Sequence, residues 1–159
     1  MKITEIRTRF VDLFMFVEIH TDEGIVGVGE SGAWAFLEAS AQAVETFKRY
    51  LIGQDPLLIE HHWQVLYRCY HFRGAAIMGA LSAVDIALWD IAGKYYGVPV
   101  YKLLGGKVRD KARVYYHVYG ASRDELVKGC LDAKSRGFTA VGHLTPFINE
   151  PRTKIAPFE

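Results

Sequence analysis

Few residues in this chain combine reactive chemistry with a setting that could use it. Tyr70-His71-Phe72-Arg73-Gly74 packs aromatic rings, an imidazole and a guanidinium into a tight break between two apolar helical stripes. A guanidinium offers a planar fork of donors that matches a carboxylate. The same arginine can instead cap helix carbonyls in a buried loop, and both readings stay open. His71 and Arg73 are therefore carried forward as candidate substrate-binding residues. His143 stands in Val141-Gly142-His143-Leu144-Thr145-Pro146, at the C-terminal end of an expected parallel strand. That is where α/β barrels place their chemistry. It is the candidate catalytic residue, against the alternative of a packed or solvated histidine at a strand end.

Other candidates carry less. Gly27-Val28-Gly29-Glu30-Ser31-Gly32 matches the dinucleotide string GxGxxG. Its strand belongs to an antiparallel hairpin, the next helix is followed by a second helix, and Glu30 would face the pyrophosphate. A glycine-rich strand and loop is the better reading. His61 and His62 are neighbours on a helix, so they point about 100° apart and cannot grip one ion. Both are expected to be solvated or capping. Asp90 is four residues before Lys94, a surface pair. Asp85, amid Ala and Leu, is expected to meet a backbone or arginine donor. No metal site is expected within this chain.

The elements that position these residues follow from periodicity. Lys2 to Val11 can alternate, with Thr4, Ile6, Thr8 and Phe10 on one face, although Ile3 then falls on the charged side. Leu13 to Thr21 is a second strand, Asp22-Glu23-Gly24 a hairpin loop, and Ile25 to Glu30 a third strand. Helices follow. The first carries Phe36, Ala43, Val44, Phe47, Tyr50 and Leu51 and stops at Gly53. The second starts at Asp55-Pro56, with Asp as N-cap, and carries Ile59, Trp63, Leu66, Tyr67 and Tyr70. The third carries Leu81, Val84, Leu88, Ile91 and Tyr95 and ends at Gly97 and Pro99. After a change of pattern across Lys107 to Arg113, Ala112 to Tyr119 reads as a strand and Ser122 to Glu125 as a capping box. A helix with Leu126, Cys130 and Ala133 ends at Gly137, and Phe138 to Leu144 is a strand again. The expected fold is α+β: a three-stranded antiparallel meander with a helical cap over 1–110, then over 111–159 the first β-α-β unit of a truncated TIM-type barrel. With no further strands after Leu144, the chain is expected to be incomplete.

Composition limits the function. Half of the residues are hydrophobic and 23% are charged, enough for a core and against disorder. A formal net charge of +1 gives no global field for nucleic acid or an anionic membrane. The apolar run Gly74 to Gly93 is interrupted by Asp85 and Asp90 and is not expected to span a membrane. Cys69 and Cys130 make no disulfide framework; two reduced thiols on apolar helix faces are expected. The first residues lack the apolar core of a signal peptide, and a cytoplasmic location is expected.

Three segments carry a family pattern: Ser82-Ala83-Val84-Asp85-Ile86-Ala87-Leu88-Trp89-Asp90, Gly97-Val98-Pro99-Val100-Tyr101 and Leu103-Leu104-Gly105-Gly106. They resemble the enolase superfamily, its mandelate racemase and muconate-lactonizing branch in particular. Asp22 to Glu30 resembles that branch's N-terminal hairpin. Asp55-Pro56, His62 to Arg68 and Phe72-Arg73-Gly74 are similar to sugar-acid dehydratases of the galactonate type. The resemblance runs from Met1 to about Leu144. It implies a capping domain before a modified TIM barrel, and proton abstraction α to a carboxylate with Mg²⁺ stabilising the enediolate. A general acid then helps to expel a β-hydroxyl. The implied ligand is a small-molecule sugar acid. The implied assembly is a homo-oligomer, or packing against the rest of a barrel. The cap would supply two substrate-facing loops, the turn around Val11-Asp12 and the loop Glu30 to Trp34, which makes Trp34 a candidate substrate-binding residue.

The sequence departs from that pattern where it matters for catalysis. Gly142 and Leu144 stand where the family's usual Lys-x-Lys is expected, with His143 between them, and the next lysine is Lys154. The family's acidic metal ligands belong to later strands. Turnover by these residues alone is not expected. The alternatives are a racemase or cycloisomerase of the same superfamily, or a non-catalytic binding or assembly module derived from the cap.

Overall fold

The alternation of the first strand contains a fault, and the backbone corrects it. β1 (Ile3–Val11) pairs antiparallel with β2 (Phe14–Thr21), but the register shifts between Ile3 and Glu5. This bulge inserts one residue and turns Ile3 back to the apolar face, so Ile3 and Ile6 are both buried. Of the face expected to hold Thr4, Ile6, Thr8 and Phe10, the last three do share one side, opposite Ile19, Val17 and Met15, while the bulge removes Thr4 from it and puts Ile3 there instead; Thr4 and Phe10 are exposed. In β2, Met15, Val17 and Ile19 alternate cleanly into the core. A two-residue turn with Asp12 at φ +51 joins these strands, and Gly24 at φ +78 closes the next hairpin. β3 (Val26–Ser31) completes a sheet of order β1-β2-β3. The computed structural model describes residues 1–33, 36–69, 71 and 73–142. They fall in two compact units, Met1–Lys107 and one that begins at Val108.

Helices cover one face of the sheet. α1 (Leu37–Leu51) buries Leu37, Ser40, Val44, Phe47 and Leu51. Phe36 lies before the helix and is exposed, off the stripe expected for it. α2 (Ile59–Arg68) begins later than expected, because the Asp55 carboxylate accepts from the Leu57 amide and closes a local turn instead of capping the helix. α3 (Ala75–Tyr96) is the core helix, with Leu81, Val84, Leu88 and Ile91 buried as expected. Tyr95 is exposed, one turn past the end of the covered stripe. Gly97 caps α3 at φ +66, and after Pro99 a short α4 (Val100–Leu103) follows.

α3 sits against β3 at backbone distance, which gives the first two glycines of the GxGxxG string their role; Gly32 faces open space. A Cβ at Gly27 would lie 2.1 Å from the Ala87 carbonyl oxygen, and one at Gly29 2.0 Å from that of Ala83. The small residues of α3, Ala80, Ala83 and Ala87, are fully buried on the facing side. By length and composition α3 could cross a membrane, and Asp85 and Asp90 do not remove it from that class. In the first unit it is covered by β3, β2, α1 and α2.

In the second unit β4 (Tyr116–His117) and β5 (Val141–Gly142) pair in parallel around α5 (Arg123–Ser135). β4 is shorter than the run expected from sequence, and β5 begins at Val141 rather than Phe138; the expected continuation over His143 and Leu144 lies outside the described residues. The capping box is present: the Ser122 hydroxyl accepts from the Glu125 amide at 3.3 Å, and the Glu125 carboxylate accepts from the Ala121 amide at 2.7 Å. Ala133 is the buried residue of α5, and Gly137 ends the segment at φ +90.

Candidate functional site

The register brings the candidate loops of the first unit to one end. Val11 pairs with Phe14 across the first turn, and Met15 pairs with Ser31, the last residue of β3. The β1–β2 turn and the exit from β3 therefore share an edge of the sheet. α3 runs antiparallel to β3, since Gly27 faces Ala87 and Gly29 faces Ala83. Its N-terminal half consequently arrives at the same end. A Cβ at Gly79 would lie 2.8 Å from both the Ser31 hydroxyl oxygen and the Ala33 methyl. Ser40 ties α1 to this corner by donating to the Ala76 carbonyl at 2.6 Å. The Ser31 hydroxyl is buried and has no hydrogen-bond partner among the described residues.

Arg73 lies just ahead of α3 and is exposed. Its Nε donates to the Tyr67 carbonyl at 2.7 Å, and its guanidinium carbon lies 4.1 Å from the centre of the Tyr67 ring. Tyr67 is in turn stacked on Trp63, with ring centres 4.7 Å apart and planes 13° apart. The carbonyl-capping role weighed from sequence is present, on an exposed arginine rather than in a buried loop. It uses one of the three guanidinium nitrogens. Nη1 and Nη2 have no hydrogen-bond partner among the described residues, and the Nε bond and the ring contact together orient the guanidinium plane. His71 is exposed beside it. Cys69 is exposed at the end of α2 rather than on an apolar face, and its thiol donates to the Leu66 carbonyl. Partial cover of the sulfur pushes its pKa up despite the nearby Arg73, so it is no ready nucleophile. The turn itself is apolar: Phe10, Val11, Leu13 and Phe14 are all exposed.

Trp34 and His143 lie outside the described residues. Their neighbours do not: Ala33 is seated against Gly79, and Gly142, the last described residue, is in register with His117. Sequence reasoning does not single out Tyr115, His117 and Tyr119, although ring-bearing residues at every second position are a visible signal.

Two earlier expectations are corrected. His62 is neither solvated nor a surface cap; it is fully buried, with Nδ1 2.8 Å from the Tyr50 hydroxyl and Nε2 2.8 Å from the Asp55 carbonyl. His61 is exposed, so the two rings do diverge. Asp85 meets no donor among the described residues. It lines an open groove of about 520 Å³ with Val28, Ile86, Trp89, Asp90, Val100 and Leu104. Burial, and then Glu60, hold its carboxyl above the usual carboxylate range. Among the described residues no group of three His, Cys, Asp or Glu can hold a metal ion.

Comparison with known proteins agrees with this geometry. The N-terminal domain profile of mandelate racemase / muconate lactonizing enzymes matches residues 3–105. The chain is 47% identical over 141 residues to a D-galactonate dehydratase of Verminephrobacter eiseniae, covering 87% of this chain and 37% of that one. It is 49% identical over 140 residues to a D-galactonate dehydratase of Pectobacterium atrosepticum, with the same coverage. Among solved structures, an enolase from Pantoea ananatis with bound D-gluconate and Mg superposes with a TM-score of 0.81 at 35% identity, covering 88% of this chain and 35% of that one. A member of the enolase superfamily from Salmonella Typhimurium gives 0.80 at 34% identity, covering 88% and 41%. The chain thus spans 37% of the length of the curated relatives it matches. With its meander, its core helix laid on glycine and its hairpin all accounted for, the chain belongs to the mandelate racemase / muconate lactonizing enzyme N-terminal domain family of the enolase superfamily.

Proposed function

We propose that this chain contributes the cap and the first barrel strands of a sugar-acid dehydratase, acting by proton abstraction α to a carboxylate. The observation that carries the reading is the convergence of the β1–β2 turn, the β3 exit and the Arg73 break at one end of the first unit. Arg73 has a guanidinium oriented by Tyr67, and its terminal nitrogens suit a carboxylate or vicinal hydroxyls. The apolar turn residues would exclude water from whatever lies beneath them. Trp34 and His71 are the further substrate-facing residues of this reading, and His143 its group for proton transfer.

Mg²⁺ is bound in one solved relative. The described residues of this chain do not fit such an ion: Asp90 is engaged by Lys94 and by the Val28 amide, and Asp85 has no second acid arranged around a common point. This chain is expected to show no turnover alone.

Grafting Met1–Lys107 in place of the equivalent region of the Verminephrobacter eiseniae D-galactonate dehydratase tests the cap. The expected chimera dehydrates D-galactonate with kcat/KM within about tenfold of the parent. A folded chimera that keeps an intact barrel but cannot bind D-galactonate overturns the reading.

A further inference from the structure

We propose that Gly79 is a positioning residue: the absent side chain at this place on α3 is the seat of Ala33, and through Ala33 it sets where the β3 exit stands at the substrate end of the cap. The consequence for substrate rests on the function proposed above; the seat does not.

The exit from β3 is held mainly by this contact. Ladder pairing to β2 ends at Ser31, and Gly32 is exposed, with open space where a side chain would be. Ala33 is nonetheless buried, at 6% exposure. A Cβ on Gly79 would lie 2.8 Å from the Ala33 methyl, so that methyl fills the space any side chain at 79 would need. The anchor is passed on to α1. The Ala33 carbonyl accepts from the Phe36 amide at 3.0 Å just before that helix, and Ser40 within it bonds back to α3 at the Ala76 carbonyl. β3, α1 and α3 thus meet around one glycine.

What a side chain would displace separates Gly79 from the glycines of β3. At Gly27 and Gly29 the nearest obstacle is the backbone of α3. At Gly79 the nearest atoms belong to side chains: the Ser31 hydroxyl oxygen and the Ala33 methyl at 2.8 Å, then the Ser40 hydroxyl oxygen at 3.3 Å. No hydrogen bond among the described residues holds the Ser31 hydroxyl, so it can turn to another rotamer. A methyl has no rotamer to turn to. Ala33 can clear the space only by moving its backbone, which lies past the last ladder pair of β3. An added methyl at 79 therefore moves the exit and leaves the core in place. Alanine also suits a helix interior better than glycine, which offsets the local crowding. The position adjusts the placement of the exit with little change in stability, and a glycine needed only for packing would not behave in that way.

The seat is tested by NMR of the 159-residue chain carrying ¹³C-methyl alanine and ¹⁵N. The signals read are the Ala33 methyl, assigned by its loss in Ala33→Gly, and the Gly32 amide. Gly79→Ala is expected to shift both and to leave the Ala87 methyl in place, with a thermal midpoint within about 3 °C of wild type. Over an Ala33→Gly background the same substitution should move the Gly32 amide less than about half as far, because the obstacle is gone. The consequence is tested in the chimera carrying Met1–Lys107. There Gly79→Ala should raise KM for D-galactonate about fivefold, with kcat changed less than about twofold, and should lose that effect over Ala33→Gly. Ala33 and Gly32 signals that stay in place overturn the proposal whatever the chimera does. A lowered midpoint with unaltered KM also overturns it, since Gly79 is then a packing residue. Shifted signals with unaltered KM in an active chimera remove the positioning role. A parent chimera that cannot bind D-galactonate removes the dehydratase reading, and the signal shifts then decide the seat by themselves.

Discussion

The Asp90 carboxylate accepts a hydrogen bond from the Val28 amide at 2.9 Å, across the outer edge of the sheet. The same oxygen lies 2.7 Å from the Lys94 ammonium, which also donates to the Val26 carbonyl at 2.6 Å. β3 is an edge strand, so its outward amides and carbonyls would otherwise be open to pairing with another chain. One turn of α3 supplies both an acceptor and a donor for them. What reads in sequence as a helical surface pair is a clamp holding the sheet edge to the core helix.

That clamp is expected to stabilise the fold by more than a surface ion pair does, because two of its bonds are charge-assisted bonds to the backbone. Asp90→Ala should lower stability by about 1–2 kcal/mol, and Lys94→Met by about half as much, in urea unfolding. An Asp90→Ala variant with an unchanged urea midpoint would mean that water replaces the carboxylate without loss.

Gly29→Ala tests the contact on which the first unit is built. The added methyl would lie 2.0 Å from the Ala83 carbonyl oxygen and 2.9 Å from the Ala87 nitrogen, both helix backbone. Nothing there can rotate away, so α3 must move off the sheet. A loss of about 3 kcal/mol or more is expected in urea unfolding. Gly24→Ala is the control: its position is open, and only the positive φ of +78 is strained, for about 1 kcal/mol. Equal losses at the two sites would show that close approach is not what the glycine at 29 provides.

His62 gives the first unit an acid sensitivity. Burial is the main cause that holds its pKa below 6.5, with neighbouring His61 acting in the same direction and the Asp55 carbonyl opposing. The folded state binds the proton less readily than the unfolded chain, so stability is fully present above about pH 6.5 and falls as the pH drops below it. The slope approaches about 1.4 kcal/mol per pH unit for one proton. His62→Gln, which can still bond Tyr50, should cost about 1–3 kcal/mol at pH 7 and remove that slope between pH 6.5 and 5. Urea midpoints across this range, in wild type and variant, measure both terms; parallel pH curves would assign the acid sensitivity elsewhere.

The meander, the core helix and the parallel pair were legible in the sequence because each has a clear period or terminator. Met15, Val17 and Ile19 alternate, Gly97 and Pro99 stop α3, and Ser122 with Glu125 starts α5. What did not show were effects that depend on a partner element. The bulge after Ile3 is a choice of register against β2, and no local pattern encodes it. His62 looks like any helical histidine until Tyr50 and the Asp55 carbonyl are brought to its two nitrogens. Asp55 has the residue type of a helix cap, but its own turn captures the carboxylate first. At the candidate site, sequence indicated Arg73 as a residue type; it could not show that one nitrogen is used for orientation and the other two are left over.

That division of labour in Arg73 makes the last prediction. In the chimera carrying Met1–Lys107, Arg73→Lys keeps the positive charge but loses the planar fork and its stacking on Tyr67. If Arg73 only closes the end of α2, the change should lower stability by about 0.5–1 kcal/mol and leave the kinetics alone. The free Nη1 and Nη2 argue for more: KM for D-galactonate should rise at least about fivefold, with kcat changed less, because the group would bind substrate rather than the reacting centre. Arg73→Met should raise KM further, since it also removes the charge. Thermal unfolding of the same variants separates the two contributions. A stability loss with unaltered KM in both variants would return Arg73 to a purely capping role and leave the substrate contacts to the β1–β2 turn and the β3 exit.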